Sequence, residues 1–95
     1  MPSLTDSEID AGLATLGGWA RDGDEIGKTY ELASFMDAIG FVGRVAALAE
    51  AADHHPDIDI RYRKVRIALS THSEGGITRK DFDLAQQIEA VSSAA

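Results

Sequence analysis

Apolar residues recur along the chain in two different rhythms, and the alternation between them predicts the elements. A helical spacing of three to four residues links Ile9, Leu13 and Leu16. Thr5 with Glu8 three residues on forms a capping box at the start of this helix. Leu4 and Ile9 are placed as its hydrophobic staple, and Gly17-Gly18 is expected to end it. A second helix opens at Ser34, with Asp37 as box partner. Phe35, Ile39, Val42, Ala46 and Ala49 make an apolar stripe that Val45, Leu48 and Ala52 broaden. Gly40 and Gly43 interrupt this helix and are expected to allow close packing on a neighbouring element. It must stop near His55, because Pro56 pushes the preceding residue out of helical geometry. A third helix opens at Thr78, with Asp81 at the box position and Ile77 and Phe82 as staple. Phe82, Ala85 and Ile88 mark its buried side, and the tail Ser92-Ser93-Ala94-Ala95 is expected to fray.

Between the helices the period drops to two. Gly18–Arg21 and Ile26–Leu32 flank Asp22-Gly23-Asp24, a strong turn signal, and so predict a hairpin. Ile26, Lys28, Tyr30 and Leu32 share one side of the second strand, a mixed pattern expected of an edge. In the next pair, Ile58, Ile60 and Tyr62 alternate with Asp59, Arg61 and Arg63, after which the parity flips to Val65, Ile67 and Leu69. A two-residue turn at Arg63-Lys64 explains the flip and pairs Tyr62 with Val65, Ile60 with Ile67 and Ile58 with Leu69. The order is therefore α-ββ-α-ββ-α over one domain, residues 1–95. The fold class is α+β, a four-stranded antiparallel sheet with the helices packed on one face.

Charge and composition narrow the function. A net charge of −7 opposes nucleic acid. The basic group Arg61, Arg63, Lys64 and Arg66 falls within a strand pattern and reads as the solvated side of a hairpin. With no cysteine, disulfides, thiolate metal sites and a cysteine nucleophile are excluded. No apolar run approaches the ~20 residues of a membrane span, and the first residues do not read as a secretory signal. A cytoplasmic location is expected.

The chemistry concentrates in a short stretch. All three histidines, His54, His55 and His72, fall within it, and the predicted hairpin returns His72 to the exit of the middle helix. Glu50 and Asp53 lie within one turn of His54, and Asp81 starts the helix that follows His72. A carboxylate beside an imidazole fixes its tautomer, and two imidazoles in unequal surroundings can serve one reaction as acid and base. Each residue also has a plain role: His54 as a helix-end residue, Asp81 as the cap partner of Thr78, Glu50 and Asp53 as solvated helix surface. Convergence at one locus favours chemistry. Three histidines with a carboxylate could instead hold zinc or iron, although adjacent His54 and His55 splay apart on a helix and no His-x-His or His-x-x-x-His spacing occurs.

The run Glu50-Ala51-Ala52-Asp53-His54-His55-Pro56, followed by Tyr62, His72 and Asp81, resembles the signature of the pterin-4a-carbinolamine dehydratases. Gly18-Trp19, Arg44-Val45-Ala46, Lys64-Val65, Ser70-Thr71-His72 and Gly76-Ile77-Thr78 extend the likeness from about Gly18 to Val91. The resemblance implies an enzyme that removes water from the 4a-hydroxytetrahydropterin left by aromatic amino-acid hydroxylases, giving the quinonoid dihydropterin. It implies neither metal nor organic cofactor. It makes His54, His55 and His72 catalytic, places Asp53, Pro56, Ser70, Thr71 and Ser73 against the pterin, and makes Glu50 and Asp81 supporting acids. It implies a homodimer or homotetramer, with a pterin as the small-molecule partner. The family often has an aromatic residue two positions after the proline, where this chain has Ile58. A non-catalytic interaction module of the same fold is the alternative.

Overall fold

The computed structural model describes residues 3–92. Its elements are α1 (Asp6–Leu13), β1 (Ala20–Asp22), β2 (Glu25–Glu31), α2 (Phe35–Ala52), β3 (Asp57–Arg61), β4 (Lys64–Leu69) and α3 (Arg79–Ser92), with a single 3-10 turn at His72–Glu74. The strands form one antiparallel sheet in the order β1-β2-β4-β3. The fold is α+β, with the helices on one face of the sheet.

The core lies between that face and the helices. Ile26, Tyr30 and Leu32 of the β2 stretch and Val65, Ile67 and Leu69 of β4 are buried against Phe41, Val45, Phe82 and Ile88. Each such side chain contributes about 1.5–3 kcal/mol on leaving water. The intervening positions carry the charges. Arg61 pairs with Asp59 at 3.0 Å, Arg63 with Glu31 at 2.8 Å and Arg66 with Glu25 at 3.4 Å, so the arginines of the basic group each have an acidic partner.

The expected cap of α1 is present in full: Glu8 N–H donates to Thr5 Oγ1 at 3.2 Å, and Thr5 N–H to Glu8 Oε1 at 2.9 Å. The helix itself stops at Leu13, and three-residue turns carry the chain on to Leu16 before the glycines are reached.

Several expectations are corrected. The β3–β4 turn is Tyr62-Arg63, one residue earlier than expected, so Ile60 pairs with Val65 and Ile58 with Ile67. Tyr62 leaves the ladder and takes a left-handed φ of 56°. The move conserves parity, so Ile58, Val65, Ile67 and Leu69 still share the inner face, whereas Ile60 and Tyr62 are exposed. β2 is an inner strand between β1 and β4, not an edge. The buried side of α2 is Ala38, Phe41, Val45 and Ala49, whereas Phe35 and Ile39 are exposed. This helix is apolar on nearly every side, so its spacing cannot select a face. Gly40 and Gly43 do not serve close packing: a Cβ at Gly43 would meet nothing, and one at Gly40 only the Arg44 guanidinium at 3.6 Å.

A polar knot explains the mixed pattern of β2. The Glu89 carboxylate on α3 accepts from Trp19 Nε1 at 3.0 Å, from Lys28 Nζ at 2.6 Å and from the Tyr30 hydroxyl. Lys28 also donates to the Gly17 carbonyl at 2.8 Å. Burial penalises the Glu89 anion, but the bonds from Lys28, Tyr30 and Trp19 outweigh it and hold the carboxyl below its ordinary value of 4.5. Burial, then the bond to Glu89, pushes the Tyr30 phenol well above its ordinary 10.0. The signs are opposite in pH. A depressed carboxyl stabilises the fold above 4.5 and loses that contribution as pH falls below it; a raised phenol stabilises it below 10.0 and loses it as pH rises further. Glu89→Ala is therefore expected to cost about 2 kcal/mol at neutral pH, since it strands two buried donors. Glu89→Gln is expected to flatten the acid limb of a melting-temperature profile followed by circular dichroism.

Candidate active site

The end of α2 is set by one residue. Asp53 adopts left-handed geometry, φ 50° and ψ 44°, and the next N–H, of His54, reaches back to the Ala49 carbonyl at 3.1 Å. This is the reversal of a Schellman closure, followed at once by the helix-stopping Pro56. It separates the adjacent histidines. The His54 side chain is only 11% exposed, and its Nε2 lies 2.5 Å from Asp81 Oδ1. His55 is 58% exposed, with Nε2 2.5 Å from Glu50 Oε1. Both expected supporting acids thus touch an imidazole, but different ones.

Asp81 is fully buried at the start of α3. Its second oxygen, Oδ2, accepts from the Thr78 N–H and from Thr71 Oγ1, both at 2.9 Å. The first of these is the expected cap bond from the Thr78 backbone to the Asp81 side chain. The Thr78 hydroxyl does not return the box to Asp81 N–H; it accepts from Lys80 N–H at 3.2 Å and lies 2.8 Å from Thr71 Oγ1. Helix start, strand exit and His54 are therefore joined through one carboxylate.

Thr71 leads directly into the loop that presents His72. The loop is closed by a bridge between Thr71 and Gly76, with N–H to carbonyl bonds of 2.9 and 3.3 Å, and Gly75 turns it at φ 72°. His72 is exposed on this loop and lines a cavity of about 210 Å³ with Ser70, Gly75, Asp22, Asp24 and Glu25. Neither His54 nor His55 lines that cavity. Of the other expected site residues, Asp53 and Ser73 are exposed and Pro56 and Ser70 are half-buried. Thr71 is 4% exposed with its hydroxyl turned inward, so it holds Asp81 rather than offering a hydroxyl to a ligand. Among the described residues, no three His, Cys, Asp or Glu side chains converge as a metal-holding set.

The sequence reading missed Thr78 as part of this network and the carboxylates of the β1–β2 turn beside His72. Thr78 was visible only as a cap. The turn acids carried no signal, because their approach to the His72 loop depends on β2 pairing with β4.

Comparison with known proteins supplies the family. The family model described as pterin 4 alpha carbinolamine dehydratase matches residues 2–91. The chain belongs to that family. A relative from Roseiflexus sp. (strain RS-1) is 60% identical over 88 residues, covering 93% of this chain and 95% of that one. One from Mycobacteroides abscessus is 54% identical, covering 94% and 95%. Both are named only provisionally as pterin-4-alpha-carbinolamine dehydratases. The crystal structure of a transcriptional coactivator/pterin dehydratase from Brucella melitensis superposes with a TM-score of 0.92 at 35% identity, over 95% of this chain and 98% of that one. A pterin dehydratase-like protein described as a RuBisCO assembly factor in the alpha-carboxysome shares the fold, with a TM-score of 0.65 at 20% identity over 81% and 89%. The pterin dehydratase fold thus appears under names of several kinds, and the chemistry of this member must be argued from its own residues.

Proposed function

We propose that this protein dehydrates 4a-hydroxytetrahydropterins to quinonoid dihydropterins by histidine acid–base catalysis. The supporting observation is the imidazole of His54 held by a buried carboxylate that also anchors the loop carrying His72. In the reaction the C4a–O bond breaks, N5 gives up its proton and a C4a=N5 double bond forms. The leaving hydroxide takes a proton and departs as water. No electron leaves or enters, so the step calls for an acid and a base and no redox cofactor. His54 and His72 divide those two roles, and His55, steadied by Glu50, holds and polarises the substrate. Asp53, Pro56, Ser70 and Ser73 border the pterin. After a separate two-electron reduction by a hydride donor, the product rejoins the tetrahydropterin pool that serves aromatic amino-acid hydroxylases in the cytoplasm.

Stopped-flow absorbance of 4a-hydroxytetrahydropterin decay tests this. The protein is expected to accelerate the decay over buffer. Equal rates with and without it would overturn the enzymatic reading in favour of a non-catalytic module.

The partner reading rests on α2. Phe35, Met36 and Ile39 are 46%, 72% and 39% exposed, on the helix that carries the open Gly43. Arg44 on the same helix has two buried side-chain nitrogens without a hydrogen-bond partner among the described residues. An apolar helix face left in water favours self-association. We infer a homodimer or homotetramer through it. Ile39→Asp is expected to halve or quarter the molar mass measured by light scattering; an unchanged mass would exclude this face.

A further inference from the structure

The protons in the Asp81 network can be placed one by one. The Thr78 N–H can only donate, and it donates to Asp81 Oδ2. The Thr78 hydroxyl already accepts from Lys80 N–H, and Thr71 Oγ1 is its one hydroxyl-proton acceptor among the described residues. Thr71 therefore receives that proton and sends its own to Asp81 Oδ2. Two donors occupy Oδ2, which leaves Oδ1 as the oxygen free to meet the imidazole. The remaining oxygen, Oδ1, faces His54 Nε2 at 2.5 Å. One proton must lie between those two atoms, since a lone pair on each side would repel, and between a carboxyl oxygen and an imidazole nitrogen it belongs to the more basic nitrogen.

The other ring nitrogen is free for chemistry. His54 Nδ1 has no hydrogen-bond partner among the described residues. The only buried unpartnered side-chain nitrogens among them belong to Arg44, so Nδ1 reaches solvent.

We propose that Thr78 and Thr71 are positioning residues that fix His54 as the Nε2–H tautomer, so that Nδ1 is the atom that exchanges a proton with substrate. This deepens the role given to His54 above and rests on it for its catalytic part. Nε2 keeps its proton whether the ring is neutral or charged, so only Nδ1 gains or loses one. The hydroxyls act at a distance from the substrate, through the orientation of Asp81, in the manner of partners that orient a ligating or catalytic imidazole.

The direct test needs no substrate. Long-range 15N–1H spectra of the full chain, with His54 assigned from the missing signal of His54→Gln, are expected to show the Nε2–H pattern. Thr71→Val is expected to add a detectable Nδ1–H population. An Nδ1–H pattern in the unsubstituted protein, or a Thr71→Val spectrum identical to it, would overturn the proposal. In the dehydration assay, Thr78→Val is expected to lower kcat about tenfold with KM within about twofold, and Thr78→Ser to restore it. An unchanged kcat, or no rescue by serine, also overturns it. Trp19 fluorescence confirms that each variant is folded. If the protein accelerates no pterin reaction yet shows the Nε2–H pattern lost in Thr71→Val, the positioning network stands and the enzymatic reading fails.

Discussion

His72→Ala is expected to slow 4a-hydroxytetrahydropterin dehydration by about 10²- to 10⁴-fold, the span that a single acid or base supplies. Its melting temperature should stay within a degree or two, because His72 is exposed on its loop. His54→Gln should be as slow, while its side-chain amide can still donate to Asp81. His55→Ala belongs to a different class. Among the described residues His55 is paired only with a solvent-facing glutamate, and its loss is expected to act mainly on KM, by about tenfold or less. Single-turnover and steady-state rates across the three variants separate the roles. Full activity in His72→Ala would remove that residue from the chemistry.

The largest stability effect is expected from Phe41→Ala. Phe41 is 0% exposed on α2, and its ring lies 4.8 Å from that of Tyr30 on β2. Deleting it empties the junction between helix and sheet and should cost about 3–5 kcal/mol. For a domain with about 5–15 kcal/mol in total, that is a large share. Urea denaturation should show a midpoint shifted to match, with an unchanged slope. Met36→Ala on the same helix is the control. Met36 is 72% exposed, and a change within about 0.5 kcal/mol is expected for the isolated chain.

Element identity was legible because each element repeats its own signal. Capping residues at Thr5, Ser34 and Thr78, the Gly23 turn and the alternation in β3 and β4 all name an element locally. What failed were the choices that depend on partners. The β3–β4 turn contains neither Gly nor Asn, so nothing local distinguished Tyr62-Arg63 from Arg63-Lys64; both keep Ile58, Ile60, Val65 and Ile67 on one face. Lys28 on the inner side suggested an edge strand, because its counter-charge, Glu89, is 61 residues away in sequence. The buried side of α2 was ambiguous because hydrophobic residues occupy both sides. In the site, the pairing of His54 with Asp81 was foreseeable only as proximity. Its terms, one histidine inward and one outward, are set by the left-handed backbone at Asp53, a conformation that aspartate tolerates but does not announce.

The pairing of His54 with a carboxylate 27 positions later also bears on when the molecule becomes competent. During synthesis, the strands and first two helices can be released from the ribosome while the imidazole still lacks its anchor. Only docking of the final helix supplies it. A chain stalled or cleaved before that segment retains every histidine, and His55 its glutamate, yet leaves His54 without its anchor, so under the proposed function catalytic output would double as a report that the last helix is in place.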